Sequence, residues 1–125
     1  MNKLALGTVQ FGLNYGIANV SGQVSLEQAE CILKTSIKAG IDTLDTAIAY
    51  GSSEKVLGAL GVESWKVVTK LPEVPLNCEN ITAWVDDQLK GSLERLGVSH
   101  VYALLLHRPE QLLTQIGKPL YHALC

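Results

Sequence analysis

Asp45, Tyr50, Lys70 and His107 are the residues of this chain whose types and positions could do chemistry. Each lies at, or just past, the C-terminal end of an apolar run that reads as a buried strand. Where parallel strands close into a barrel, the loops leaving those ends converge and form the active site. A carboxylate, a phenol, an amine and an imidazole brought together there could tune the phenol as a proton donor.

The elements that must position these groups follow from periodicity and punctuation. Leu4 to Val9 is apolar and precedes Gly12 and Gly16, which predicts a first strand and a loop. Ser25 and Gln28 form a capping box for a helix with a buried face of Ala29, Ile32, Leu33 and Ile37, ended by Gly40. Asp42 to Ala47 predicts a second strand, and Ser52 or Ser53 then starts a short helix through Val56, Leu57 and Leu60 that stops at Gly61. Lys66 to Leu71 predicts a third strand, closed by Pro72, with Pro75 in the loop beyond. Ile81, Val85, Leu89, Leu93 and Leu96 define a long amphipathic helix ending at Gly97, with Asn77 and Asn80 as alternative caps and Gly91 as an internal weak point. Val101 to Leu106 predicts a fourth strand, and its unbroken apolar character predicts cover on both faces. Leu120, Tyr121, Ala123 and Leu124 read as the start of another helix.

Strands alternating with helices argue for βαβ units with right-handed crossovers. An open doubly wound sheet and part of a (β/α)8 barrel both fit. A complete barrel takes about 250 residues, and this chain has 125. The expectation is an α/β fold over residues 1–125: the N-terminal half of a (β/α)8 TIM barrel, four parallel strands alternating with helices. A small four-stranded domain is the alternative. Uncovered half-barrel edges and faces predict self-association or partial order in isolation.

An apolar fraction of 47% and a charged fraction of 18% fit a soluble globular protein. A net charge of -2 gives no electrostatic reason to expect nucleic acid or an anionic membrane as partner. The opening apolar stretch is too short for a signal-peptide core, and the longest apolar run, Val101 to Leu106, is far too short to span a bilayer. The cytoplasm is the expected location. Cys31, Cys78 and Cys125 show no CxxC spacing and read as reduced thiols. No His/Cys/Asp cluster has metal-site spacing, so no metal is expected.

The densest signal runs from Gly40 to Glu54: Asp45-Thr46-Ala47, then Tyr50-Gly51, then Ser53-Glu54. This pattern resembles that of the aldo-keto reductase family. Leu6-Gly7-Thr8 resembles the family's first barrel strand. Val67-Val68-Thr69-Lys70 resembles its third strand with the active-site lysine, and Leu104-Leu105-Leu106-His107 its fourth with the active-site histidine. The four motifs stand in family order and cover nearly the whole chain.

The resemblance implies reduction of an aldehyde or ketone to an alcohol with NADP(H), NAD(H) remaining open, on a small carbonyl substrate. Tyr50 would be the general acid that protonates the carbonyl oxygen. Lys70 would favour the phenolate form of that tyrosine, and Asp45 would hold Lys70 charged and in place. His107 would orient the carbonyl. Gly7, Thr8 and Asp45 would lie against the nicotinamide end of the cofactor. In the family, loops after the last two barrel strands grip the cofactor's phosphates and adenine. The resemblance therefore implies that this chain holds the proton-transfer half of the machinery and is inactive or poorly active alone.

Taken singly, each residue has a plainer role. Asp45 could cap a turn, Tyr50 could be a loop aromatic, Lys70 a solvated strand end and His107 a turn residue. Asp42 is a rival carboxylate, but it stands short of the strand end. A tight strand exit would explain Gly7 and Thr8. Glu54 would favour a helix N-terminus. His100 and His122 read as surface residues, and Trp65 and Trp84 as packing aromatics. Two further functions compete: a non-catalytic binding or regulatory module on the same scaffold, and a Schiff-base lyase with Lys70 as nucleophile. An intact tetrad argues against the first, and a carboxylate beside Lys70 against the second.

Overall fold

The computed structural model describes residues 3–125; Met1 and Asn2, within the span expected for the domain, lie outside the described residues. The element order is β1 (Leu6–Gly7), α1 (Val9–Gly12), α2 (Leu26–Lys38), β2 (Thr43–Asp45), α3 (Ser53–Leu60), β3 (Lys66–Leu71), α4 (Ile81–Leu96), β4 (Ala103–Leu106), a 3-10 turn (Pro109–Leu113) and α5 (Gly117–Leu124). The strands form one parallel sheet in the order β1-β2-β3-β4. Strands adjacent in sequence are adjacent in space, as in one half of a (β/α)8 barrel.

Alternation along the strands sorts their side chains onto two faces. Leu44, Val67, Thr69 and Leu71 point to one side and are buried. Two apolar clusters lie on that side. Ala29 and Leu33 of α2, Leu57 of α3 and Leu96 of α4 meet Leu44 and Val67 in the first. Val85 of α4 and Leu120 of α5 meet Leu71 and Val74 in the second, with Leu104 and Leu106 against them. The opposite face carries Asp45, Val68, Lys70, Ala103 and Leu105, and Leu105 is 45% exposed there.

The helix boundaries follow their caps. The Ser25 hydroxyl accepts from the Gln28 N–H while the Gln28 side chain accepts from the Ser25 N–H, completing the capping box. Asn80 caps α4 by accepting from the Ala83 N–H, which decides between the two asparagines.

Several expectations are corrected. The first strand is only Leu6–Gly7, because Thr8 turns the chain into α1. That turn buries Phe11 and leaves Leu4 64% exposed. The second strand is shorter than expected, although the Thr46 N–H still bonds the Val68 carbonyl (2.9 Å) as the chain leaves the sheet. The fourth strand starts at Ala103, with the Tyr102 N–H already on the Val67 carbonyl (2.7 Å). Ile37 is not on the buried face: it is 56% exposed, and Ser36 is buried in its place. Nor is β4 covered on both sides, since its helix-facing leucines are packed and Leu105 is not.

Candidate active site at the C-terminal end of the sheet

The strand register explains how distant residues meet. Gly7 lies opposite Asp45, Asp45 opposite Val68, and Lys70 opposite Leu105. Lys70 is two residues beyond Val68, and His107 is two beyond Leu105. Each step along the sheet therefore climbs by an even number of residues, which keeps the chemical groups on one face. A stagger between neighbouring strands is what barrel geometry demands.

Lys70 occupies the centre. Its ammonium donates to Asp45 Oδ1 and to the Thr46 carbonyl, both at 2.8 Å. The Lys70 side chain is 16% exposed and that of Asp45 38%, so the pair is half-sheltered from water. Two of the three ammonium protons are thereby used. The same nitrogen lies over the ring of Tyr50, 5.0 Å from its centroid. His107 meets that ring in a T-shaped contact, with centroids 5.8 Å apart and planes at 88°. The four residues expected to meet are thus brought together, with the ammonium over the ring of the phenol.

Tyr50 is held by its backbone. It ends a turn in which its N–H bonds the Ala47 carbonyl and its carbonyl accepts from the Ser53 N–H, both at 3.0 Å. Gly51, at φ +56°, lies against Gly12 of α1; a Cβ on Gly12 would come within 1.7 Å of the Tyr50 carbonyl oxygen. Only glycine permits that approach. His107 is anchored through its N–H on the Leu71 carbonyl (2.9 Å) and its side chain is exposed. The loops that follow β3 and β4 are joined by Gln111, whose amide donates to the Val74 carbonyl (3.1 Å) and accepts from the Val74 N–H (2.9 Å).

The other expected site residues divide. Gly7 is exposed beside Asp45, and a Cβ there would meet nothing within 4 Å. Thr8 is fully buried; its hydroxyl donates to the Asp45 carbonyl (3.0 Å) and accepts from Ser53. Asp42 is remote from the site: it pairs with Lys66 (2.6 Å) at the other end of the strands. The Lys66 ammonium holds the Asp42 carboxyl below its usual range, and Asp42 in turn raises the Lys66 amine. Glu54 does more than favour a helix start. Only 2% exposed, it accepts from Thr69 (2.7 Å), from Ser92 and from Arg95 Nε (2.8 Å), tying α3 to β3 and α4.

Sequence reasoning missed that network and the buried hydroxyls of Thr8, Thr46 and Ser53. Their signal was small polar residues flanking reactive ones inside apolar elements. Among the described residues no three His, Cys, Asp or Glu side chains could hold a metal ion, and no helix is long and apolar enough to cross a membrane.

Comparison with known proteins agrees with the fold. The profile of the aldo/keto reductase family matches residues 3–120. The chain belongs to that family of oxidoreductases. An aldo-keto reductase from Mycolicibacterium vanbaalenii is 36% identical over 93 residues, which is 70% of this chain and 32% of that protein. The crystal structure of PA4992 from Pseudomonas aeruginosa, assigned as an aldo-keto reductase, superposes with a TM-score of 0.74 at 30% identity, covering 96% of this chain and 49% of that one. The holo form of an aldo-keto reductase from Bacillus halodurans shares the fold, with a TM-score of 0.61 at 21% identity. The chain spans about half the length of the Pseudomonas protein and about a third of the Mycolicibacterium one.

Proposed function

We propose that this chain carries the acid–base half of an NADP(H)- or NAD(H)-dependent carbonyl reductase, with Asp45, Tyr50, Lys70 and His107 as its catalytic residues. The observation that carries the reading is the ammonium of Lys70, fixed by Asp45 and lying over the ring of Tyr50, with His107 in T-shaped contact with the same ring. An ammonium beside a phenol favours the anion left after proton donation. The hydroxyl of Tyr50 has no hydrogen-bond partner among the described residues, which leaves it free to donate to a carbonyl oxygen. His107, exposed at the rim, would hydrogen-bond the same oxygen and orient it.

The residues fit the nicotinamide end of the cofactor. Gly7 gives an open shelf in register with Asp45, and the partly exposed Asp45 carboxylate borders it. Thr8, buried below, would shape that shelf rather than offer its hydroxyl. The bound dinucleotide would supply the hydride. The family habit favours NADP(H). The cytoplasm as location and a small aldehyde or ketone as substrate are part of the same reading.

By themselves these residues turn over substrate poorly, because most of the cofactor grip expected for the family is not among them. Self-association through the open sheet face belongs to this reading, and sedimentation velocity checks it. Turnover is tested with NADPH and a panel of aromatic aldehydes, on this chain and on a fusion to the C-terminal half of PA4992. The chain alone should be nearly inactive and the fusion active. In the fusion, Tyr50→Phe should lower kcat by about 10²–10⁴-fold. A fusion that folds and binds NADPH but reduces no aldehyde would sink the reductase reading. Efficient turnover by the unfused chain would sink the half-site claim.

A further inference from the structure

Ser53 touches the supports of three of the four proposed catalytic residues. Its N–H bonds the carbonyl of Tyr50 (3.0 Å). Its hydroxyl is 3.0 Å from Thr46 Oγ1, and the carbonyl of Thr46 is one of the two acceptors that hold Lys70. The same hydroxyl donates to Thr8, to the carbonyl at 2.9 Å and Oγ1 at 3.0 Å, and Thr8 Oγ1 donates to the carbonyl of Asp45. Thr8, Thr46 and Ser53 are all fully buried.

A hydroxyl has one proton to give. The proton of Ser53 is committed to Thr8, so Thr46 must be the donor in its pair with Ser53. The direction is then fixed: Thr46 to Ser53, Ser53 to Thr8, Thr8 to the backbone of Asp45. In a site closed to water, losing one member leaves its neighbours unsatisfied, and the three segments are free to shift against each other.

We infer that Ser53 is a positioning residue for the proposed proton transfer, setting Tyr50 against the Asp45–Lys70 pair from beneath. This role rests on the reductase reading, and its test does not. Misplacing a reacting group by a fraction of the reach between two side chains is enough to damage a pre-organised site.

The test reads geometry by NMR on the 125-residue protein. Two signals report it: the upfield displacement of the Lys70 ε-protons by the Tyr50 ring, and the cross-relaxation between the Tyr50 and His107 rings. Ser53→Ala should reduce each by about half or more, since both fall steeply with distance from the ring. Leu33→Ala, in the helix-side core, should lower stability and leave both signals in place. Unchanged signals in Ser53→Ala, or equal losses in Leu33→Ala, would overturn the inference. Should Ser53→Ala give no folded spectrum, Thr46→Val decides, because it removes the donor to Ser53 at nearly constant volume. Retention of both signals there would overturn it as well. A reductase that works while its ring geometry ignores Ser53 sinks only this inference. An inactive fusion whose geometry depends on Ser53 sinks only the function.

Discussion

Asp45 and Lys70 form an ion pair across two strands although they are not opposite each other: Asp45 faces Val68, and Lys70 Nζ reaches Asp45 Oδ1 at 2.8 Å from two residues further on. Their exposures differ, at 38% for Asp45 and 16% for Lys70, and so should the consequences of removing either. Asp45→Asn removes the countercharge and leaves a sheltered ammonium held only by neutral acceptors, the amide oxygen and the Thr46 carbonyl. Lys70→Met leaves a carboxylate that water can reach. Asp45→Asn should cost about 1–2 kcal/mol in urea unfolding and Lys70→Met about 1 kcal/mol or less, both well below the range for fully buried pairs. Equal costs would contradict this account.

The Glu54–Arg95 pair has the reverse asymmetry. Glu54 is 2% exposed and Arg95 31%. Arg95→Ala strands a buried carboxylate with only the hydroxyls of Thr69 and Ser92, and should cost about 3 kcal/mol. Glu54→Gln keeps an acceptor for both hydroxyls and releases an arginine with access to solvent. It should cost about 1–2 kcal/mol. Urea denaturation of both variants checks the order.

Gly58→Ala tests packing against propensity. In an open helix interior the change stabilises by about 1 kcal/mol. Here a Cβ at Gly58 would come 2.1 Å from the Arg95 carbonyl oxygen, which is backbone and cannot swing aside. The sign should reverse, with a loss of about 2 kcal/mol or more as α3 is pushed off α4. A raised melting temperature would show that the helices are not in such close contact.

The Asp42–Lys66 pair at the opposite end of the strands gives a pH signature. The Asp42 carboxyl is lowered by Lys66, so its contribution is present above the unfolded value of about 4 and is lost as pH falls through the lower folded one. Lys66 is raised by Asp42, so its contribution is present below about 10.4 and is lost as pH rises through the higher folded value. Both groups are exposed, so the effect is small and screened by salt. Melting of Asp42→Asn should fall slightly below that of the parent at pH 7, and the two should converge near pH 2 and in high salt.

Much of this arrangement was legible in the sequence because strong local signals agreed with one another. The capping box at Ser25, the Val-rich third strand and the heptad-like spacing through α4 each have one physical solution. The four proposed catalytic residues stood out because polar groups at strand ends interrupt apolar runs. The misses have equally local causes. Leu4 to Val9 has an apolar composition that fits a strand, but the bond from the Phe11 N–H to the Thr8 carbonyl and the burial of Phe11 turn the chain early. Ile37 fits the helical period, yet it lies near the end of α2 with no neighbour to cover it. The hydroxyl chain under the site and the Glu54 network were invisible because they join residues up to 45 positions apart, and no local pattern encodes such a pairing.

The even climb of the site across β2, β3 and β4 makes this sheet sensitive to parity. A single inserted or deleted residue within β3 would swing the amine to the side occupied by helices, whereas a change of two would only raise or lower it. Length variation among functional descendants of this sheet should therefore come in pairs inside the strands and without restriction in the turns between them.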